Sequence, residues 1–198
     1  MANIFPFRAL RYAGDKVSVS QVVTQPYDKI NPLLQDRYYQ ASPYNLVRII
    51  LGKPLPEAGP QSNVYTRATA SFREWRQTGI LRQDPTPSLY RYTQSFTVPG
   101  TETRAERQGF IALGQIEEYS AGVIFRHEQT LSGPKADRME LLRATRAHLE
   151  QLFMLYSGGG TTDALLRSTA APDIEVTDEY NVLHRVWKVS DPSLIASP

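Results

Sequence analysis

His127 and Glu128 stand side by side at the end of an apolar run, and Thr130, Lys135, Asp137 and Arg138 follow closely. These residue types can do acid–base and anion chemistry. An imidazole titrates near neutrality. A carboxylate can take a proton from a hydroxyl or hold a magnesium ion. Thr130 offers a hydroxyl, and Lys135 and Arg138 offer cationic donors suited to phosphate oxygens. The plain alternative is a polar turn with a good helix start. Asp137 would then favour the helix dipole, and Lys135 and Arg138 would form weak surface pairs. Spacing alone leaves both readings open.

Two other stretches carry candidate groups. In "TQPYDKI", Pro26 fixes the backbone and presents Tyr27 and Asp28; the alternative is an Asp turn bonded to its own backbone. In "SPYNLVRII", Asn45 lies ahead of an expected strand, where it lines a pocket or caps a turn, and Arg48 adds a cation for phosphate. A zinc-protease helix needs a second His four residues after the first, and position 131 is Leu. His148 and His184 are scattered, so no metal-ligand set is expected. The "GGG" at 158–160 precedes a helix-like stretch but has no Lys, so it is not a P-loop.

The elements that must position these groups follow from periodicity. Residues 4–12 read as a short strand or extended arm. Gln25, before a proline, is extended. A helix starts at Pro32 with Asn31 as its N-cap. "YNLVRIILG" reads as a strand closed by Gly52. A second helix runs from Ser62 to about Thr78, with Tyr65, Ala68, Phe72 and Trp75 on its apolar face and Gly79 just past its end.

"SLYRYTQSFTV" alternates and predicts a half-buried strand. "PGTETRAERQ" reads as a charged connection, "GFIALGQIEEY" as a second, antiparallel strand, and "AGVIFRHE" as a third. A long helix is expected from Asp137 to about Leu152, buried through Met139, Leu142, Leu149 and Leu152, with Arg138, Arg143 and Arg146 off that stripe. "LFMLYS" reads as a short buried strand or the helix end. A helix over "TTDALLRSTA", capped by Thr161 or Thr162, and a final strand "NVLHRVWKV" complete the chain. The sum is an α+β fold over residues 1–198, with a mixed, mostly antiparallel sheet and helices packed on one side.

Composition removes several classes. The 198 residues are 41% hydrophobic and 21% charged, as in an ordinary globular domain. A net charge of +2 gives no field that argues for nucleic acid or a membrane surface. Cysteine is absent, which removes disulfides and thiolate metal sites and fits a reducing cytoplasm. No signal peptide is read at the N-terminus, and no apolar run reaches the ~20 residues of a membrane span.

"FPFRALRY", "QPYDKI", "SPYNLVRII", "GVIFRHEQT" and "KADRMELLRATRAHLEQLFMLY" occur in that order. Together they resemble the N-terminal half of the bacterial and archaeal family known as domain of unknown function 1015. Gln25 stands where the family usually has a second proline. Family members are of roughly double length, and their second half carries an Asp-Gly-His-His-Arg turn. That turn is similar to the phosphate-binding turn of the ParB/sulfiredoxin fold, which free-serine kinases use. The resemblance implies that this chain is an N-terminal fragment of a small-molecule phosphotransferase using ATP or another phosphate donor with Mg2+. Glu128 would be the base or magnesium ligand, and His127, Lys135 and Arg138 would hold phosphate oxygens. Tyr27, Asp28, Asn45, His127 and Glu128 should then share one concave region. The other reading is a non-catalytic module that binds a nucleotide or a protein. The expected partners are a small molecule or nucleotide and, by self-association or docking, a second copy or the missing half.

Overall fold

The computed structural model describes residues 2–57, 59, 61–126, 132–156 and 170–195, with the backbone only for Leu194. The strands are β1 (Ile4–Phe5), β2 (Leu10–Tyr12), β3 (Leu81–Gln83), β4 (Leu89–Thr97), β5 (Arg104–Ile111), β6 (Leu113–Gly114), β7 (Ile174–Thr177) and β8 (Leu183–Val189). The helices are α1 (Val19–Val22), α2 (Pro32–Ala41), α3 (Val47–Ile50), α4 (Val64–Gln77), α5 (Ser132–Thr145) and α6 (Pro192–Ile195). The fold is α+β. Among the described residues, no helix is long and apolar enough to cross a membrane. The chain separates into two compact units. One takes the described residues of Met1–Leu10, Gln83–His127 and Phe153–Pro198, and the other those of Arg11–Arg82 and Glu128–Leu152.

The first unit is built on a four-stranded sheet in the order β5-β4-β8-β7, antiparallel throughout. The alternation in β4 sets its two faces. Leu89, Arg91 and Thr93 are buried on one, while Tyr92, Gln94 and Phe96 on the other are half-buried. Arg91 lies directly opposite Trp187 and stacks on its ring at 4.3 Å. Tyr90 packs on Phe7 and donates to Asp84 at 2.6 Å, while its oxygen accepts from the Ala9 amide. β4 and β5 are joined tightly, with Gly100 at φ +78° in the turn. The charged stretch expected to be a connection therefore becomes strand from Arg104 onward. β5 is an edge strand, and edges accept charge because their side chains stay in water.

A hydrogen-bonded chain closes the β7–β8 turn. Asp178 accepts from the Tyr180 and Val182 amides at 2.9 Å each, and Asn181 turns at φ +60°. The second Asp178 oxygen meets His184 Nε2 at 3.2 Å, and His184 Nδ1 meets the Tyr92 hydroxyl at 2.6 Å. Burial pushes the Tyr92 hydroxyl up to about 12, with the Asp178 charge acting the same way. Tyr92 therefore stays protonated beside the imidazole.

The second unit is helical. α1 and α2, α2 and α3, α3 and α4, and α4 and α5 pack in succession. Asn31 accepts from the Leu34 amide at 2.8 Å and starts α2 as expected. Asn63 and Thr66 form a reciprocal capping box at the start of α4. Ala68, Phe72 and Trp75 are buried along α4, and Tyr12 and Tyr44 set their rings 6.2 and 6.0 Å from Trp75. Gly79 takes φ +73°, the left-handed turn that ends the helix.

Several expectations are corrected. "YNLVRIILG" is not a strand; its Val47–Ile50 run is the short helix α3. A short apolar run does not distinguish the two by periodicity. Here Asn45 accepts from the Val47 amide, and the Leu46 amide donates to Val22 O, so the backbone is committed elsewhere. α5 begins at Ser132 rather than Asp137, since Pro134 in the first turn needs no amide partner. It stops at Thr145, not Leu152, because Arg146 turns at φ +54°. Its buried stripe runs through Leu141 and Thr145, and Met139 is exposed. The described residues 152–156 of "LFMLYS" are neither buried nor regular: Leu152 is 90% exposed, and Phe153 to Tyr156 are also open. Residues 121–126 of the expected third strand form bends and a 3-10 turn. The glycine run at 158–160 and the helix capped by Thr161 or Thr162 lie outside the described residues.

Replacing Asp178 by Ala strips two turn amides and His184 of their acceptor at once. We expect a loss of about 2–3 kcal/mol in chemical denaturation. A loss under about 0.5 kcal/mol, the level of an ordinary surface change, would show that the turn does not depend on this carboxylate.

Candidate functional site

Arg138 is the centre of the best-defined polar cluster in the helical unit. Its side chain is only 20% exposed, because it lies on the inward side of α5 with Leu141 and Thr145. The reading that put it off the buried stripe is therefore corrected. Its guanidinium sits 4.0 Å above the centre of the Tyr27 ring. Nε donates to Asp137 at 3.0 Å, and Nη2 also reaches that carboxylate. Nη2 donates to the Ile50 carbonyl at 2.9 Å, and Nη1 donates to Glu150 at 3.2 Å. The Tyr65 hydroxyl donates to the other oxygen of Asp137 at 2.7 Å.

Local structure explains this placement. Pro26 starts a 3-10 turn over Tyr27–Lys29, with the Lys29 amide bonded to Pro26 O, so the Tyr27 ring is fixed in direction. The C-terminal carbonyls of α3 lack partners within the helix, and Arg138 satisfies that of Ile50. Tyr65 is the α4 residue next to its capping box.

Electrostatics divide the carboxylates. Burial alone would raise Asp137, but hydrogen bonds from Arg138 and Tyr65 outweigh it and hold its pKa below the usual value. Burial raises Glu150; the Arg138 charge opposes this, and Asp28 and Asp137 add to it. One cation thus serves two carboxylates, and Glu150 is held less well than Asp137. Tyr65 is raised by its bond to Asp137.

The structure brings Tyr27, Asp28, Asp137 and Arg138 to one place. It does not bring Asn45 or Arg48 there as ligand groups. Asn45, 1% exposed, donates to Gln21 O at 2.8 Å and Val23 O at 3.2 Å, and so fastens the end of α1 to the start of α3. Arg48 lies 4.3 Å over the Tyr39 ring and donates to Tyr39 O and Ser42 O. Lys135 is exposed on the first turn of α5. His127, Glu128 and Thr130 lie outside the described residues. Sequence reasoning missed Glu150, Tyr65 and the Ile50 carbonyl. Tyr65 was assigned to the apolar stripe, Glu150 sits in a stretch expected to be helix, and a carbonyl leaves no mark in sequence. Among the described residues, no group of three His, Asp or Glu side chains is placed to hold a metal ion.

A family model described as a protein of unknown function, DUF1015, matches residues 4–197, nearly the whole chain. The chain belongs to the DUF1015 family. Comparison with curated proteins gave no match, and neither did comparison with solved structures. For this DUF1015 chain, the candidate site therefore rests on its own geometry.

The opposite shifts of the two carboxylates give opposite pH effects. Glu150, raised in the folded state, opposes folding when ionised, so its cost is present at neutral pH and fades as pH falls toward the ordinary carboxylate range. Asp137, lowered, contributes stability that is lost as pH falls. Glu150→Gln should hold or raise the Tm near pH 7, with the difference from wild type vanishing by about pH 4. Asp137→Asn should lower the Tm near pH 7. Thermal unfolding across pH checks this, and a larger loss in Glu150→Gln than in Asp137→Asn would contradict it.

Proposed function

We propose that this DUF1015 chain binds a phosphate-bearing small molecule, such as a nucleotide, at the Tyr27–Arg138 cluster. It would be the phosphate-handling part of a small-molecule phosphotransferase, with a serine-like acceptor as the resemblance implies. The observation that supports this best is the state of Arg138. Its guanidinium is already oriented by the Tyr27 ring, Asp137 and the Ile50 carbonyl, while its Glu150 partner is destabilised by burial. A phosphate oxygen can take the place of the Glu150 carboxylate on Nη1 without reorienting the arginine, and arginine–phosphate pairs are charge-assisted and directional.

Phosphoryl transfer depends mainly on positioning and on neutralising charge. Arg138 and Lys135 would supply cations. Magnesium usually takes one or two carboxylates plus substrate phosphates. Asp28 or the displaced Glu150 would supply such a carboxylate, and when bound the ion would neutralise phosphate charge. Glu128 remains the proposed base, with His127 and Thr130 near it in sequence, and Asp28 is the described carboxylate that could share this work.

A second reading is a non-catalytic nucleotide- or protein-binding module. It is favoured by the fact that each nitrogen of Arg138 already has a protein partner, as a structural clamp would require.

Isothermal titration with ATP, ADP and pyrophosphate, each with magnesium, tests the proposal. Saturable binding is expected, weakened roughly tenfold or more in Arg138→Gln and little changed in Arg48→Gln. No heat at millimolar ligand, or equal binding by Arg138→Gln, would contradict it. Binding without ADP release from ATP in the presence of serine would favour the non-catalytic module.

A further inference from the structure

A concavity lies between α4 and α5. Its volume is 440 Å³, and Asn63, Tyr65, Thr66 and Thr69 of the α4 side face Glu140 and Arg143 of α5. That size is within the range of small-molecule sites. Glu140 and Arg143 form an ion pair at 2.7 Å, but both side chains are more than half exposed. Such a pair contributes little to stability, so its two charges can be given to a ligand at small cost.

The remaining polar lining is biased toward acceptors. Thr66 donates its hydroxyl proton to Asn63 O at 3.0 Å, and Thr69 donates to Tyr65 O at 2.9 Å. Tyr65 donates to Asp137. Thr69 and Tyr65 therefore offer lone pairs, and Thr66, which also accepts from the Asn63 amide at 2.9 Å, offers one. The Asn63 side-chain oxygen faces the Tyr65 and Thr66 amides. Among the charged lining groups, Glu140 adds a carboxylate and Arg143 the one cation. A ligand complementary to this lining carries several N–H donors and one anionic group. Because the two protein charges are adjacent, its own two charges must be adjacent as well.

We propose that the α4–α5 groove binds a free α-amino acid, with the ligand carboxylate on Arg143 and its ammonium between Glu140 and the threonine hydroxyls. The ligand side chain lies along the Tyr65 ring and Ala144. This site stands on the groove alone and does not require phosphate binding at Arg138.

The test is isothermal titration of the full chain with L-alanine and L-phenylalanine, beside acetate, ethylamine and 6-aminohexanoate. Both amino acids should give saturable heat, L-phenylalanine the stronger because it fills more of the groove. The singly charged probes and 6-aminohexanoate, whose charges are far apart, should give none. Arg143→Gln should weaken amino-acid binding at least tenfold, and Ala144→Phe, which fills the groove without altering charge, should abolish it. Arg143→Gln should keep the wild-type circular dichroism, since Arg143 is exposed. No heat at tens of millimolar amino acid, equal heat with acetate, or wild-type binding by Arg143→Gln would overturn the proposal.

Discussion

The helical unit depends on how one part-buried guanidinium is satisfied. An arginine carries five N–H donors and cannot shed its charge, so a site that shields it from water must supply acceptors from several directions. Asp137 comes from the same helix, the Ile50 carbonyl from the end of α3, and Glu150 from the chain beyond α5. The Tyr27 ring closes the remaining face. Four separate parts of the sequence are therefore tied to one side chain. The same convergence is the ground for proposing Arg138 as an anion site, where the anion would replace Glu150 on Nη1.

The sheet unit solves a similar problem differently. Its central strand carries Arg91 and Thr93 on a buried face, and Arg91 is accommodated by stacking on Trp187. On the other face, polar groups form a chain from Asp178 through His184 to Tyr92. Both arrangements couple β4 to β8, so register and side-chain chemistry support each other.

Much of this was legible in sequence where local rules act alone. The Asn31 cap, the α4 stripe with Gly79 after it, and the alternation in β4 needed only periodicity and capping chemistry. α3 was not legible, because the four residues Val47–Ile50 say nothing about period, and its helical state is fixed by Asn45 and by the distant Val22 carbonyl. α5 was displaced toward the C-terminus because Gly133-Pro134 reads as a break, whereas proline is at home in a first turn. At the site, Tyr27, Asp28, Asp137 and Arg138 were singled out by residue type, and they do converge. Asn45 and Arg48 were singled out by the same logic and serve packing instead. Residue type marks a group that needs partners; only tertiary structure decides whether those partners are backbone or ligand.

Amide hydrogen exchange in Arg138→Met, compared with wild type, tests the central role of this arginine most directly. The methionine keeps the stem's apolar packing and removes every donor. The account predicts selective loss of protection around the Tyr27–Lys29 turn and at the C-terminal end of α3, with the sheet strands β4 and β8 unchanged. Unchanged exchange in those two segments would contradict it, because the turn and the helix end would then be held without Arg138.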